Sequence, residues 1–255
     1  MNGQENPNRP RRFAPLDPNK NTGDGAPKLE GIVFDVDGTL CEPQNYMFGQ
    51  MRAALNIPKS QDILDHIYAL PSEAQEDAME TIRSIEREAM AVQKPQAGLV
   101  ELMAYLDSRG VRKGICTRNF DTPVTHLLTT HLPTHVFSPI ITRDFRPPKP
   151  DPAGILHIAS QWGLPDRAAR LIMVGDSVDD MTAGYRAGAA TVLLVNESNA
   201  HLAWHQHTDL CVKRLDDLIT VLENGFEGQI GQGEENPDTK AQAEETLKES
   251  NGQGS

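Results

Sequence analysis

The chain has 255 residues, 36 Asp and Glu against 24 Lys and Arg for a formal net charge of −12, and 38% apolar side chains. Such a length allows one ordinary globular domain with a smaller insert, and leaves ample sequence for a core. Residues 29–223 keep the acidic excess, 26 acidic against 17 basic side chains, which argues against a nucleic-acid surface, since that requires a basic stripe. No run approaches the ~18 apolar residues that span a membrane.

In chain order, residues 1–28 come first, rich in Asn, Pro and Gly and carrying Arg9, Arg11 and Arg12. They show no apolar periodicity and read as a flexible leader. No apolar stretch of secretory length is present, and Glu5, Asp17, Asp24 and several prolines interrupt any basic amphipathic helix. A strand is predicted at 30–36, where Val33, Phe34 and Val36 suit a sheet interior. It delivers Asp35 and Asp37 into an Asp-Gly turn. Two apart on a strand, the carboxylates share a face and repel unless something positive sits between them; a divalent cation is the obvious candidate.

The interval 42–96 is too long for a simple crossover and offers helices near 46–56, 60–69 and 72–93. The last begins with Ser72-x-x-Gln75, a capping-box pattern, and repeats Ala78, Ile82, Ile85 and Ala89 on one face. Because it opens just past the carboxylate turn, this interval is expected to lie over the site as a lid. Strands then recur at 111–117, 136–141, 170–175 and 190–195, with helices at about 97–109, 121–131, 152–163, 179–188 and 214–224. That alternation predicts a doubly wound α/β layer with a parallel sheet, and ligands at the strand C-terminal ends. From about Asn224 the chain is Gly-, Gln- and Glu-rich and reads as a disordered acidic tail.

Four strand ends carry polar residues, and together they suit the movement of a phosphoryl group. Asp35 and Asp37 are the first. The second strand ends in Cys116-Thr117-Arg118-Asn119, a hydroxyl with free backbone N–H groups that can hold phosphate oxygens, although Thr at a strand end is often just a turn residue or a cap. Third, Arg146-Pro147-Pro148-Lys149-Pro150 brackets a lysine with prolines just before a helix, so that it can neutralise charge accumulating on a nucleophile. Fourth, Gly175-Asp176-Ser177-Val178-Asp179-Asp180 ends another apolar strand. There Asp176 at the tip and Asp180 on the first helical turn can both face Mg²⁺.

With these motifs, FDVDGTL at 34–40, Thr117, the Lys149 loop and GDSVDD at 175–180, the chain resembles the haloacid dehalogenase superfamily, and specifically its phosphatase branch. The resemblance covers about 29–223 and implies a Rossmann-like core (29–41 and 97–223) with a small helical cap (42–96). It further implies that Asp35 is the nucleophile forming an aspartyl-phosphate and Asp37 the general acid and then base. Mg²⁺ would be held by the Asp35 and Asp176 carboxylates and the Asp37 carbonyl, with Asp180 as a further ligand or partner. Thr117, Arg118, Asn119, Gly38 and Lys149 would hold the transferring group. Asp37 favours phosphate over halide, because halide leaves unprotonated. The implied partner is a small phosphorylated metabolite. A phosphomutase, and a silent scaffold whose acidic tail recruits a protein, are the alternatives.

The remaining signals are weaker. Cys41, Cys116 and Cys211 have no metal-ligand spacing and are odd in number, which suits the reducing cytoplasm. His201 and His205 have helical spacing, but Leu202 stands where a zinc protease needs Glu. Arg52, Arg83 and Arg87 lie in the cap and could reach an anionic group of a substrate, although solvent-facing helix charges are the favoured reading.

Overall fold

The computed structural model describes residues 11–20, 23 and 25–228. After a two-residue strand β1 (Arg12–Phe13), the apolar runs become six parallel strands: β2 (Gly31–Phe34), β3 (Arg112–Cys116), β4 (Ile140–Ile141), β5 (Leu171–Gly175), β6 (Ala190–Leu194) and β7 (Leu210–Val212). Their order across the sheet is β4-β3-β2-β5-β6-β7. Strand order therefore reverses between β2 and β5, and the crevice at their C-terminal ends is the usual ligand position of an open parallel sheet.

Alternate residues of each strand serve opposite layers. Ile32, Phe34, Ile115, Ile172 and Val174 pack with α4 (Leu99–Ser108), α5 (Asp121–His131) and α8 (Asp217–Asn224). Val33, Cys116, Leu171 and Met173 pack with α6 (Ala153–Gln161) and α7 (Val178–Ala187). Burying both faces explains why β2 and β5 read as continuous apolar runs rather than alternating ones. Each large side chain so buried contributes about 1.5–3 kcal/mol of hydrophobic stabilisation.

Between β2 and α4 stand three helices, α1 (Asn45–Leu55), α2 (Ile63–Ala69) and α3 (Ser72–Ala91). They share their own apolar cluster of Met47, Met51, Ile63, Leu64, Ile67, Ala78, Ile82 and Ala89, with Ile85 against it. The stripe expected on α3 is therefore its packing face. Two connections tie this unit to the core: Glu42 N–H donates to Lys94 O at 2.9 Å and Gln96 N–H to Leu40 O at 3.0 Å. No described helix is long and apolar enough to cross a membrane.

Four expectations change. The segment 1–28 is not uniformly a flexible leader, because β1 pairs antiparallel with β8 (Phe226–Glu227), and Phe13 is buried beside Phe226 with ring centroids 5.7 Å apart. The described chain likewise continues past Asn224 to Gly228, whose N–H donates to Arg11 O at 2.7 Å; residues 1–10, 21, 22 and 24 of the expected leader and 229–255 of the expected tail lie outside the described residues. Ser72 is not a capping residue. Pro71 occupies that position, and Gln75 Nε2 donates instead to Leu70 O at 2.8 Å. Finally, the run at 136–141 pairs only through Ile140–Ile141, and β7 joins the sheet from a segment with no strand predicted.

Candidate active site

The carboxylate turn is built by its own backbone. Asp35 N–H donates to Val174 O at 3.0 Å, continuing the β2·β5 ladder one residue past the strand. The N–H groups of Thr39, Leu40 and Cys41 then converge on Val36 O at 3.2, 2.9 and 3.1 Å. Gly38 sits at φ +83°, and a Cβ there would lie 2.2 Å from Asp176 Oδ2. Only glycine lets the turn and the carboxylate come so close; Gly38 acts on Asp176 rather than lining the cavity.

Lys149 lies between two of the acids, 2.7 Å from Asp35 Oδ1 and 2.5 Å from Asp180 Oδ1. Burial works against its charge, but Asp180 and Asp35 outweigh that and raise its pKa. Asp180 has a second task. Its Oδ2 accepts from Ser177 N–H at 3.0 Å and Ser177 Oγ at 2.6 Å, while Ser177 Oγ accepts from Asp180 N–H, a reciprocal cap at the start of α7. Asp180 is thus tied to Lys149 and the helix start, which favours the partner role over a ligand role.

Burial pushes Asp35 up to about 6, with Lys149 opposing the rise. Burial also raises Asp37, whose Oδ1 accepts from Gln44 N–H at 3.3 Å. Asp176 rises to about 8 through burial and then the neighbouring Asp180, Asp35 and Asp37 charges. Carboxylate oxygens of Asp35, Asp176 and Asp180 lie within 4.8 Å of one another. An all-oxygen set of this kind, with repulsion Lys149 does not fully offset, fits a hard divalent cation such as Mg²⁺.

The Thr117 region differs from expectation. Thr117 N–H is not free but donates to Ile141 O at 2.9 Å, and Asn119 N–H donates to Thr117 Oγ1 at 3.2 Å. The strand-end amides at these two positions therefore serve the fold, and the Thr117 hydroxyl is the group presented. Arg118 is held by Asp179 at 3.0 Å and by Asp62 of the inserted unit at 3.1 Å. Asp62 also caps α2 through Leu64 and Asp65 N–H.

A cavity of about 350 Å³ lies between core and inserted helices. Asp35, Asp37, Thr117, Arg118, Asn119, Lys149 and Asp176 line one part; Phe48, Met51, Arg52, Ile63, Leu64 and Ile82 line the other. Arg52 is thus a lining residue rather than a solvent-facing charge. Arg83 and Arg87 do lie on the outer face, paired with Glu76 and Glu80. Sequence reasoning missed Arg143, also on the cavity wall. Its Nη2 donates to Glu86 Oε1 at 3.0 Å, its Nε donates to Arg118 O at 2.8 Å, and its guanidinium lies 3.7 Å from the Phe120 ring centroid. Burial pushes Glu86 up to about 7 despite this arginine. The thiols beside the site are buried, which raises Cys41 to about 12 and Cys116 to about 11.

A parallel α/β core with an acidic cluster and a buried lysine at its switch point defines the fold class and the place of its site. Residues 29–188 match the model of the haloacid dehalogenase-like hydrolase family, and the chain belongs to that family. It is 43% identical over 206 residues to an uncharacterised hydrolase of Saccharomyces cerevisiae, covering 78% of this chain and 94% of that protein. Among solved structures it is similar to a predicted phosphoglycolate phosphatase of Haemophilus somnus (TM-score 0.60, 20% identity, 76% of this chain and 97% of the other). A comparable likeness holds for CbbY of Rhodobacter sphaeroides in complex with phosphate (TM-score 0.60, 20% identity, 74% and 96%). At such identities these two speak for the fold.

Proposed function

We propose that the chain is a Mg²⁺-dependent phosphatase that hydrolyses a small phosphomonoester through an aspartyl-phosphate. The observation that carries this reading is the salt-bridged Asp35–Lys149 pair, 2.7 Å apart, beside a second acid, Asp37, whose pKa burial raises above that of an exposed carboxylate. In the first step an Asp35 oxygen bonds to phosphorus as the ester P–O bond breaks, and Asp37 gives its proton to the departing alkoxide. In the second, Asp37 takes a proton from the water that attacks the acyl-phosphate, and Asp35 is released. Lys149 offsets negative charge on Asp35, and the Thr117 hydroxyl holds a phosphoryl oxygen. Mg²⁺, held by Asp35, Asp176 and the Asp37 carbonyl, would supply further positive charge to the phosphoryl oxygens. The inserted helices act as a lid that admits small esters. Three buried cysteines, an odd number with no metal-ligand spacing, suit a reducing compartment, the cytoplasm.

Purified protein with Mg²⁺ is expected to hydrolyse p-nitrophenyl phosphate, and Asp35→Asn to abolish turnover while the circular dichroism spectrum is kept. Chelation should stop the reaction and added Mg²⁺ restore it. Equal turnover in the variant, or none on any ester in a metabolite panel, would sink the phosphatase reading.

A further inference from the structure

The cavity offers two cations that the transferring phosphoryl group does not require. Lys149 lies between Asp35 and Asp180, and Arg118 between Asp62 and Asp179, so each already faces two carboxylates. Arg52 on α1 has no carboxylate partner among the described residues. Its Nη1 reaches Phe48 O at 3.4 Å, and its Nε is buried with no hydrogen-bond partner. Arg143, 8% exposed, is fixed by Glu86, Arg118 O and the Phe120 ring, yet its Nη1 is likewise buried without a partner. Both arginines line the same cavity. Buried N–H groups without an acceptor are disfavoured unless something brings one. Phe48, Ile63 and Ile82 on the cavity wall have no side-chain acceptor to give, and the lining carboxylates Asp62 and Asp179 are taken by Arg118.

We propose that Arg52 and Arg143 form an anion subsite for the leaving group, so that the substrate is a small phosphomonoester whose alcohol portion carries a second anionic group, a carboxylate or a phosphate. The inference rests on the phosphatase reading and names the substrate class of that site. Arg143 forms a neutral pair with Glu86 and presents a pre-set N–H, while Arg52 contributes the unpaired positive charge. A guanidinium suits both carboxylate and phosphate oxygens. The cavity volume, about 350 Å³, suits a small-molecule ester. Since Arg52 comes from the inserted helices and Arg143 from the core, an anionic leaving group bridges the two units and a neutral one does not.

The test uses the full chain and matched ester pairs: 2-phosphoglycolate against its carboxamide, and propane-1,3-diol bisphosphate against the monophosphate. With Mg²⁺, kcat/KM should favour the charged member of at least one pair by about tenfold or more, and which pair responds distinguishes carboxylate from phosphate. Arg52→Gln should bring that ratio close to one. Because Arg143→Gln alone strands Glu86, the second variant is R143Q/E86Q, with the same expected loss of preference. Equal kcat/KM within both pairs, or a preference that survives both variants, overturns the subsite. If nothing is hydrolysed, calorimetric binding of the same pairs to the D35N chain decides. A charged-member preference lost in D35N/R52Q supports the subsite and sinks only the phosphatase reading, whereas equal affinities overturn the subsite.

Discussion

Gly38 and Lys149 hold the acidic site in shape from opposite directions, one by having no side chain and the other by supplying a charge. Gly38→Ala places a Cβ within 2.2 Å of the Asp176 carboxylate at a backbone angle of +83°, so Asp176 must shift. Mg²⁺ affinity and activity are expected to fall roughly 10–100-fold with the fold retained, read by metal titration of the purified variant. Lys149→Ala leaves Asp35 and Asp180 facing each other without their cation. That should cost about 3–5 kcal/mol in a urea titration and lower kcat by roughly 10²–10³. Gly38 was expected to hold the transferring group and packs against Asp176 instead, but Lys149 was legible in the sequence because it sits inside a short motif with local meaning. Arg143 was not. Its role comes from Glu86, 57 positions earlier, and from Phe120, neither of which marks the Thr142-Arg143-Asp144 stretch as special.

Among the elements, α7 joins helix stability to catalysis most directly, because one carboxylate, that of Asp180, caps the helix and grips Lys149. Ser177→Ala removes the cap and is expected to cost about 0.5–2 kcal/mol. A lower urea midpoint with unchanged slope would show it. The main strands and most helices could be read from apolar runs and their spacing, since burial on both faces of a parallel sheet leaves an obvious signature. The short elements could not. β1 and β8 have two residues each and gain their meaning from one another across more than two hundred positions. In β7 a run of only three residues is preceded by Thr208-Asp209, and Asp209 looks like a loop acid until its Oδ2 is seen to accept Thr191 N–H at 2.9 Å on the neighbouring strand. Likewise, the apparent cap at Ser72 followed a correct residue pattern at the wrong boundary, since Pro71 is the residue that precedes the helix.

For the whole molecule, pH should act through buried acids away from the metal ligands. Glu86 and Asp209 are each pushed up to about 7, first by burial, whereas in the unfolded chain such groups titrate near 4. Between those values the native state binds more protons, so the stability these acids contribute is full below about pH 4 and is lost as pH rises from there through 7. Each such group contributes a slope of about 1.4 kcal/mol per pH unit in that window. Urea midpoints in metal-free buffer at pH 5, 6, 7 and 8 should fall in that order, and Glu86→Gln should flatten the decline. A midpoint that climbs over this range would contradict it. Phe13→Ala tests the other large-scale feature, the strand pair that seals one sheet face, with an expected loss of about 3 kcal/mol by thermal or urea unfolding.

That strand pair also fixes how the molecule can be attached to other things. Arg11 O accepts from Gly228 N–H, and the Arg11 side chain donates to Gly188 O, just before β6, and lies 4.0 Å from Asp209, just before β7. Arg11 and Gly228 therefore meet at one point beside the strands' N-terminal ends, while Asp35 and Asp176 follow the C-terminal ends. Labels placed at positions 12 and 227, which face each other across the strand pair, would sit close enough to report separation of β1 from β8 on the side of the sheet away from the acidic site.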